Sequence, residues 1–144
     1  MACEGMVDAL RRAHRIVEPR GTVVDLHPSA VSAIVEVGGR ATGIISSDDG
    51  PLRHAAAGVA LAAAVQEGLF AIERSFVFKF YTYGESVDEL KEFVAAHWRS
   101  GCIDHDALER TRAALARDPG ARLRICERVY VTKLRAIVAR PSAS

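Results

Sequence analysis

The chain has 144 residues, of which 49% are hydrophobic and 26% charged, and its formal net charge is +1. Such a balance fits a soluble globular domain and gives no bias towards nucleic acid or an acidic membrane surface, so neither is an expected partner. The length suffices to bury a core without disulfides.

Cys3, Cys102 and Cys126 are odd in number and lack metal-type spacing, which favours a reducing cytoplasm over secretion. Met1-Ala2-Cys3-Glu4 does not read as a signal peptide, and no apolar run approaches transmembrane length. No internal repeat is visible. The expected organisation is a single domain over 1–140 with a disordered tail over 141–144.

In chain order, Met6, Ala9, Leu10, Ala13, Ile16 and Val17 recur at helical spacing, with Arg11, Arg12 and Arg15 mostly elsewhere on the wheel. Pro19 to Gly21 stops that helix, with the glycine expected to take the left-handed turn. Thr22-Val23-Val24-Asp25-Leu26 is a β-branched run of the kind that fills a buried strand in a parallel or mixed sheet, and Pro28 closes it. A helix feeding such a strand is half of a βαβ unit, so a preceding strand is expected from outside this sequence.

Residues 33–37 and 40–45 flank Gly38-Gly39 and predict a β-hairpin. Asp48-Asp49-Gly50-Pro51 predicts a turn and a helix entry, and alanine-rich Leu52–Glu67 a helix ended by Gly68. So many alanines permit close approach of a neighbouring element. Leu69–Tyr83 reads as a long strand, with Phe76, Phe78 and Phe80 on one face. Ser86 and Glu89 form a capping-box pattern for a helix to about Trp98. Asp104 caps another through Arg117, and Arg122–Leu134 alternates as a final antiparallel strand.

Helix, turn and strand at Arg15-Ile16-Val17-Glu18-Pro19-Arg20-Gly21-Thr22-Val23-Val24-Asp25 resemble the late segment of class I S-adenosylmethionine-dependent methyltransferases. The resemblance spans nearly the whole chain but about half of a usual family domain. It implies that this segment is the helix and fifth strand of a seven-stranded sheet whose last two strands lie antiparallel. The fold class expected is therefore α/β: a partial methyltransferase-like, Rossmann-like mixed sheet with a β-hairpin insertion and antiparallel C-terminal strands. The family's glycine-rich cofactor loop and ribose-binding acid would precede residue 1. Gly38-Gly39 is followed by a strand-like run and does not meet the nucleotide fingerprint. No cofactor is expected to bind this chain alone; S-adenosylmethionine remains possible in a complex.

No complete catalytic motif is present. Asp25 and His27 are the strongest positional candidates, because ligands in open α/β sheets bind outside the carboxyl ends of strands and a histidine there can act as a general base. The competing reading is a local Asp25 contact and a histidine that merely precedes a turn. His54 follows the Asp48-Asp49 turn, in a region the resembled family often brings over its pocket; a surface histidine is the alternative. Tyr81 and Tyr83 are candidate substrate-binding residues, or core aromatics.

The five histidines lack HxxxH or HxH spacing, so no metal site is expected. Asp104-His105-Asp106 reads as a solvated cap. Arg122, Arg124 and Arg128 share a strand face that could hold an anion or simply face solvent.

Three function classes follow. One is a subunit of a split, heteromeric methyltransferase-like enzyme acting on a small molecule. Its protein partner would supply the N-terminal half of the fold, and this chain the substrate side of the cleft. The reaction would be methyl transfer, or a cofactor-independent cyclisation or elimination such as aziridine formation in natural-product biosynthesis. The second is a homodimeric small-molecule binding protein. The third is a non-catalytic stabilising or regulatory partner of an intact methyltransferase.

Overall fold

A computed structural model describes residues 2–48 and 50–138; the tail expected over 141–144 and Asp49 of the expected helix entry lie outside the described residues. The amphipathic spacing near the N-terminus becomes α1 (Ala2–Ile16), which buries Val7 and Leu10. The turn that follows differs from expectation. Gly21 N–H donates to the Glu18 carbonyl at 2.7 Å, and the left-handed residue is Arg20, at φ 62°. Pro19 therefore sits at the second position of a β-turn and Arg20 at the third. Gly21 is needed for space: a Cβ there would lie 2.6 Å from Val17 Cγ2 and 2.7 Å from the Glu18 carbonyl oxygen.

The β-branched run forms β1 (Thr22–Pro28), but it is not the buried strand its composition suggests. Val24 and Leu26 are 59% and 61% exposed. The reason is its neighbourhood. Among the described residues β1 pairs with one strand, β6 (Leu123–Ala136), and it ends the strand order β1-β6-β2-β3-β5, where β2 is Ile34–Val37, β3 Arg40–Ser46 and β5 Cys102–Ile103. Ala136 N–H donates to the Gly21 carbonyl and Ser29 N–H to the Arg128 carbonyl, so the two strands run antiparallel. The parallel neighbour expected of β1 is not among the described strands.

The Gly-Gly pair makes the expected hairpin of β2 (Ile34–Val37) and β3 (Arg40–Ser46). Gly38 and Gly39 have φ of 57° and 80°, the two consecutive positive values that a tight hairpin turn requires. The alanine-rich segment is α2 (Gly50–Gln66), ended at Gly68 with φ 73°. Ala57, Ala60 and Ala64 are buried at helical spacing, so the small side chains do permit close packing within this chain.

β4 (Phe70–Gly84) is the expected long strand and pairs with β6. Its first aromatic, Phe70, is buried, but those further along are not core: Phe76 and Phe80 are 48% and 51% exposed. α3 (Val87–His97) begins as expected. Ser86 Oγ accepts from Glu89 N–H at 3.1 Å, while the Glu89 carboxylate accepts from Glu85 N–H at 2.7 Å. A two-residue strand β5 (Cys102–Ile103), too short to show a period, pairs antiparallel with β3. α4 (His105–Arg117) is capped by Asp104, as its sequence signals.

The result is an α/β fold with a six-stranded, mostly antiparallel open sheet and four helices among the described residues. The chain divides into two compact units, one drawn from 1–27, 53–78 and 130 onwards, the other from 28–52 and 79–129. In the first, Leu10, Leu61, Ala64, Phe70, Leu134 and Ala136 form the core. In the second, Val35, Val37, Leu90, Val94, Leu108, Leu123 and Ile125 dominate it. β6 serves both cores, and its alternation slips one residue at Val131 and Thr132, both buried. No described helix is long and apolar enough to cross a membrane.

Candidate functional site

Successive odd positions of β1 lie on one face, so Val23, Asp25 and His27 project together. Val23 packs against the core of its unit. Asp25 and His27 continue the same row toward the carboxyl end of the strand. Their side chains meet: His27 Nδ1 and Asp25 Oδ2 are 2.6 Å apart, and the side chains are 13% and 9% exposed respectively. A carboxylate can only accept, so Nδ1 carries the proton and Nε2 is left as the basic nitrogen. The arrangement fixes both tautomer and ring orientation, which is what a general base needs from its supporting group.

The third member was not legible in the sequence. The bonds Gly21–Ala136 and Ser29–Arg128 set a constant antiparallel register, which places Tyr130 opposite His27 and Thr132 opposite Asp25. The Tyr130 ring lies 5.6 Å from the His27 ring, centroid to centroid, at 33°. It walls one side of the imidazole. Thr132 is buried and accepts a hydrogen bond from Ser75 Oγ at 3.3 Å. Only the strand register, which joins residues about a hundred positions apart, could have nominated Tyr130.

His54 lies early in α2, half-buried, and belongs to the same compact unit as the dyad. Tyr81 and Tyr83 belong to the other unit, where they meet arginines of the last strand region. The Arg124 guanidinium sits 4.1 Å from the Tyr81 ring centroid and donates from Nε to the buried Glu36 carboxylate at 2.8 Å. Arg122 stands 5.3 Å from the centroid of Tyr83, and the two tyrosine rings are 6.3 Å apart. Hydrogen bonds from Arg124 to Glu36 and to Tyr83 raise the Arg124 pKa further above its already high ordinary value. Sequence alone grouped Arg122 with Arg124; it could not show that only one of them is paired to Glu36.

Other histidines serve structure. His14 Nε2 meets the Ile137 carbonyl at 2.9 Å and sets its edge against Phe70. His97 Nδ1 meets the Phe93 carbonyl at 3.0 Å and its ring stacks on Phe93, in the last turn of α3, where a histidine suits the negative end of the helix. In the Asp104-His105-Asp106 run, Asp104 spends a carboxylate oxygen on Ala107 N–H at 2.7 Å. The described residues include no group of three or more His, Cys, Asp or Glu side chains arranged to hold a metal ion.

Comparison with protein families, with curated proteins and with solved structures finds no match to this chain.

Proposed function

We propose that this chain is the substrate-side subunit of a two-chain, methyltransferase-like enzyme acting on a small molecule, with His27 as general base and Asp25 as its positioning residue. The observation that carries the reading is the state of β1. A β-branched strand bears a hydrogen-bonded Asp–His pair near its carboxyl end, yet exposes Val24 and Leu26 and has an unpaired outer edge among the described strands. Such an edge is a template for another strand. A parallel strand and covering helix from a second polypeptide would bury both features.

Two further observations support the reading. β1, α2 and β4 occur in that order, with the β2–β3 hairpin between β1 and α2, and β6 pairs with both β1 and β4. β4 and β6 also run antiparallel: Leu69 bonds Ile137 near one end, and Tyr81 meets Arg124 near the other. The resembled family's last two strands do the same. Gly38-Gly39 is occupied as a hairpin turn, with Gly38 N–H donating to the Arg122 carbonyl, so it does not suit a cofactor phosphate loop. S-adenosylmethionine, where the complex uses it, would belong to the partner's loop.

The chemistry assigned to this chain is proton abstraction. Nε2 of His27 would take a proton from a substrate amine or hydroxyl as that atom attacks carbon. The bond broken is the C–S bond of a sulfonium methyl donor, which departs as a thioether, or the bond to an anionic leaving group such as sulfate within the substrate, which departs as the ring closes. Asp25 stabilises the imidazolium that forms. Positioned bases of this kind contribute about 10²–10⁴-fold. In the two-chain complex, His27→Ala should lower kcat by that order, and Asp25→Asn should follow because an amide no longer enforces the Nδ1–H tautomer. Wild-type turnover in the His27→Ala complex would end the proposal.

A second reading, a homodimeric small-molecule binding protein, is favoured by one observation. β4 is unpaired on its outer edge among the described strands, and Ile72 and Phe76, on one face of it, are each about half exposed. A second copy could cover them. A concentration-independent monomer mass for the purified chain would remove that reading.

A further inference from the structure

The two arginines that flank Leu123 have different fates. Arg124 is half-buried and its charge is answered by Glu36. Arg122 is exposed, lies over the Tyr83 ring, and has no carboxylate within ion-pair distance among the described residues. It also borders an open groove of about 540 Å³, lined by Tyr83, Arg122, Leu115, Pro119, Leu123 and one acid, Glu85. The volume falls in the range of small-molecule sites, and the lining of carbon walls with few polar groups is their usual composition.

We propose that this groove binds a small organic monocarboxylate with an apolar or aromatic body. The carboxylate pairs with the Arg122 guanidinium, and the body lies along Tyr83, Leu115, Pro119 and Leu123. A guanidinium laid on an aromatic face keeps its planar N–H fork for a second partner, and that fork matches a carboxylate with two parallel hydrogen bonds.

The backbone at Arg122 is fixed from the hairpin side, where its carbonyl accepts from Gly38 N–H at 2.9 Å. The wall at Ala121 is held by its N–H bond to the Asp118 carbonyl at 3.0 Å. The groove is therefore preformed, and a ligand need not order its far wall. Glu85 sets the charge selection. A second negative charge on the ligand would meet that acid, so dicarboxylates and phosphate are disfavoured.

The groove names a ligand class for Tyr83 without depending on the His27 dyad or on any partner chain. The test is a titration of the purified chain with sodium benzoate, followed residue by residue in amide NMR spectra. Saturable shifts centred on Tyr83, Leu115 and Leu123 are expected. Arg122→Gln should weaken binding about tenfold or more, the scale of a lost charge-assisted pair. Its fold is checked in the same spectra, since the Gly38 bond uses only backbone at that position. Tyr83→Leu should weaken benzoate more than it weakens acetate, because only benzoate uses the ring. Arg128→Gln, which removes an exposed charge from β6 outside the groove, should leave affinity unchanged. The proposal is overturned by the absence of saturable shifts, by equal benzoate affinity in Arg122→Gln, or by inorganic phosphate binding as well as benzoate. Because the assay uses one chain and no turnover, each of those results leaves the base assigned to His27 standing or falling by its own test.

Discussion

β1 and β2 are both short, rich in valine and carry one acid each, yet they end in opposite environments. Val35 and Val37 of β2 are 1% and 5% exposed, whereas Val24 and Leu26 of β1 are more than half exposed. β2 lies between β3 and β6, and its acid, Glu36, is ion-paired to Arg124. β1 has β6 alone among the described strands, and its acid holds a histidine. Composition gives a strand its capacity for burial; neighbours on both edges and both faces realise it. The half-finished strand is also the one that carries the candidate base. A site assembled with a partner would have this property.

The contrast is broken most strongly by truncating side chains on either side of it. Ile125→Ala, at a fully buried position in the core of the β2 unit, should cost about 2–5 kcal/mol in denaturant unfolding of the purified chain. The double change Val24→Ser and Leu26→Ser should cost far less in the same assay, on the order of 0.5 kcal/mol per site. It should nonetheless abolish association with the proposed partner. A large loss of intrinsic stability from the β1 pair would show that this chain already buries them.

Caps come next in size. Asp104→Ala and Ser86→Ala remove side-chain acceptors from α4 and α3, and each should cost about 1 kcal/mol, read as a lowered Tm. Both lie in the β2 unit, whose helices are finished by its own residues. Insensitivity of Tm to both would undercut that description.

The smallest effects are pH-dependent and of opposite sign in the two units. Burial raises the Glu127 carboxyl above its ordinary range. Its contribution is full below the unfolded glutamate value, about 4.3, and is lost as pH rises through the higher folded value. Glu127→Gln should therefore gain on the parent as pH climbs from about 4 towards neutral. Glu67 is held below the ordinary range chiefly by its hydrogen bonds from Arg11, at 2.6 and 3.0 Å. That contribution is present above about 4.3 and lost as pH falls through the lower folded value. Glu67→Gln should therefore be less stable than the parent at neutral pH, the gap closing in acid. Urea unfolding across this range checks both, and slopes of the same sign would contradict the assignment.

Much of the fold is legible in the sequence because its punctuation is local. The Gly38-Gly39 hairpin, the Ser86 and Asp104 caps and the Gly68 stop each depend on residues within a few positions of one another. The pair Asp25 and His27 is legible for the same reason: two residues apart on a strand, they had to share a face. What the sequence hides is set by distant pairing. β1 reads as buried because its valines and leucine fit a central strand, and only the sheet order shows it at an edge. Tyr130 beside His27, and Glu36 beside Arg124, follow from antiparallel registers that no local pattern encodes. The slip in β6 at Val131 and Thr132 is invisible for a related reason, since one strand serves two cores.

The most direct test of the central claim is residue-resolved amide hydrogen exchange along β1. In the observed register the N–H groups of Val23, Asp25 and His27 face β6, while those of Val24 and Leu26 face the outer edge. Exchange should be measured on the chain alone, and again after co-expression with a neighbouring reading frame that supplies a strand and glycine-rich loop. Fast exchange is expected at Val24 and Leu26 in the chain alone, with slow exchange at the three alternate positions, and protection of all five in the proposed complex. Protection of Val24 and Leu26 in the monomeric chain, or their continued fast exchange in a stoichiometric complex, would contradict it.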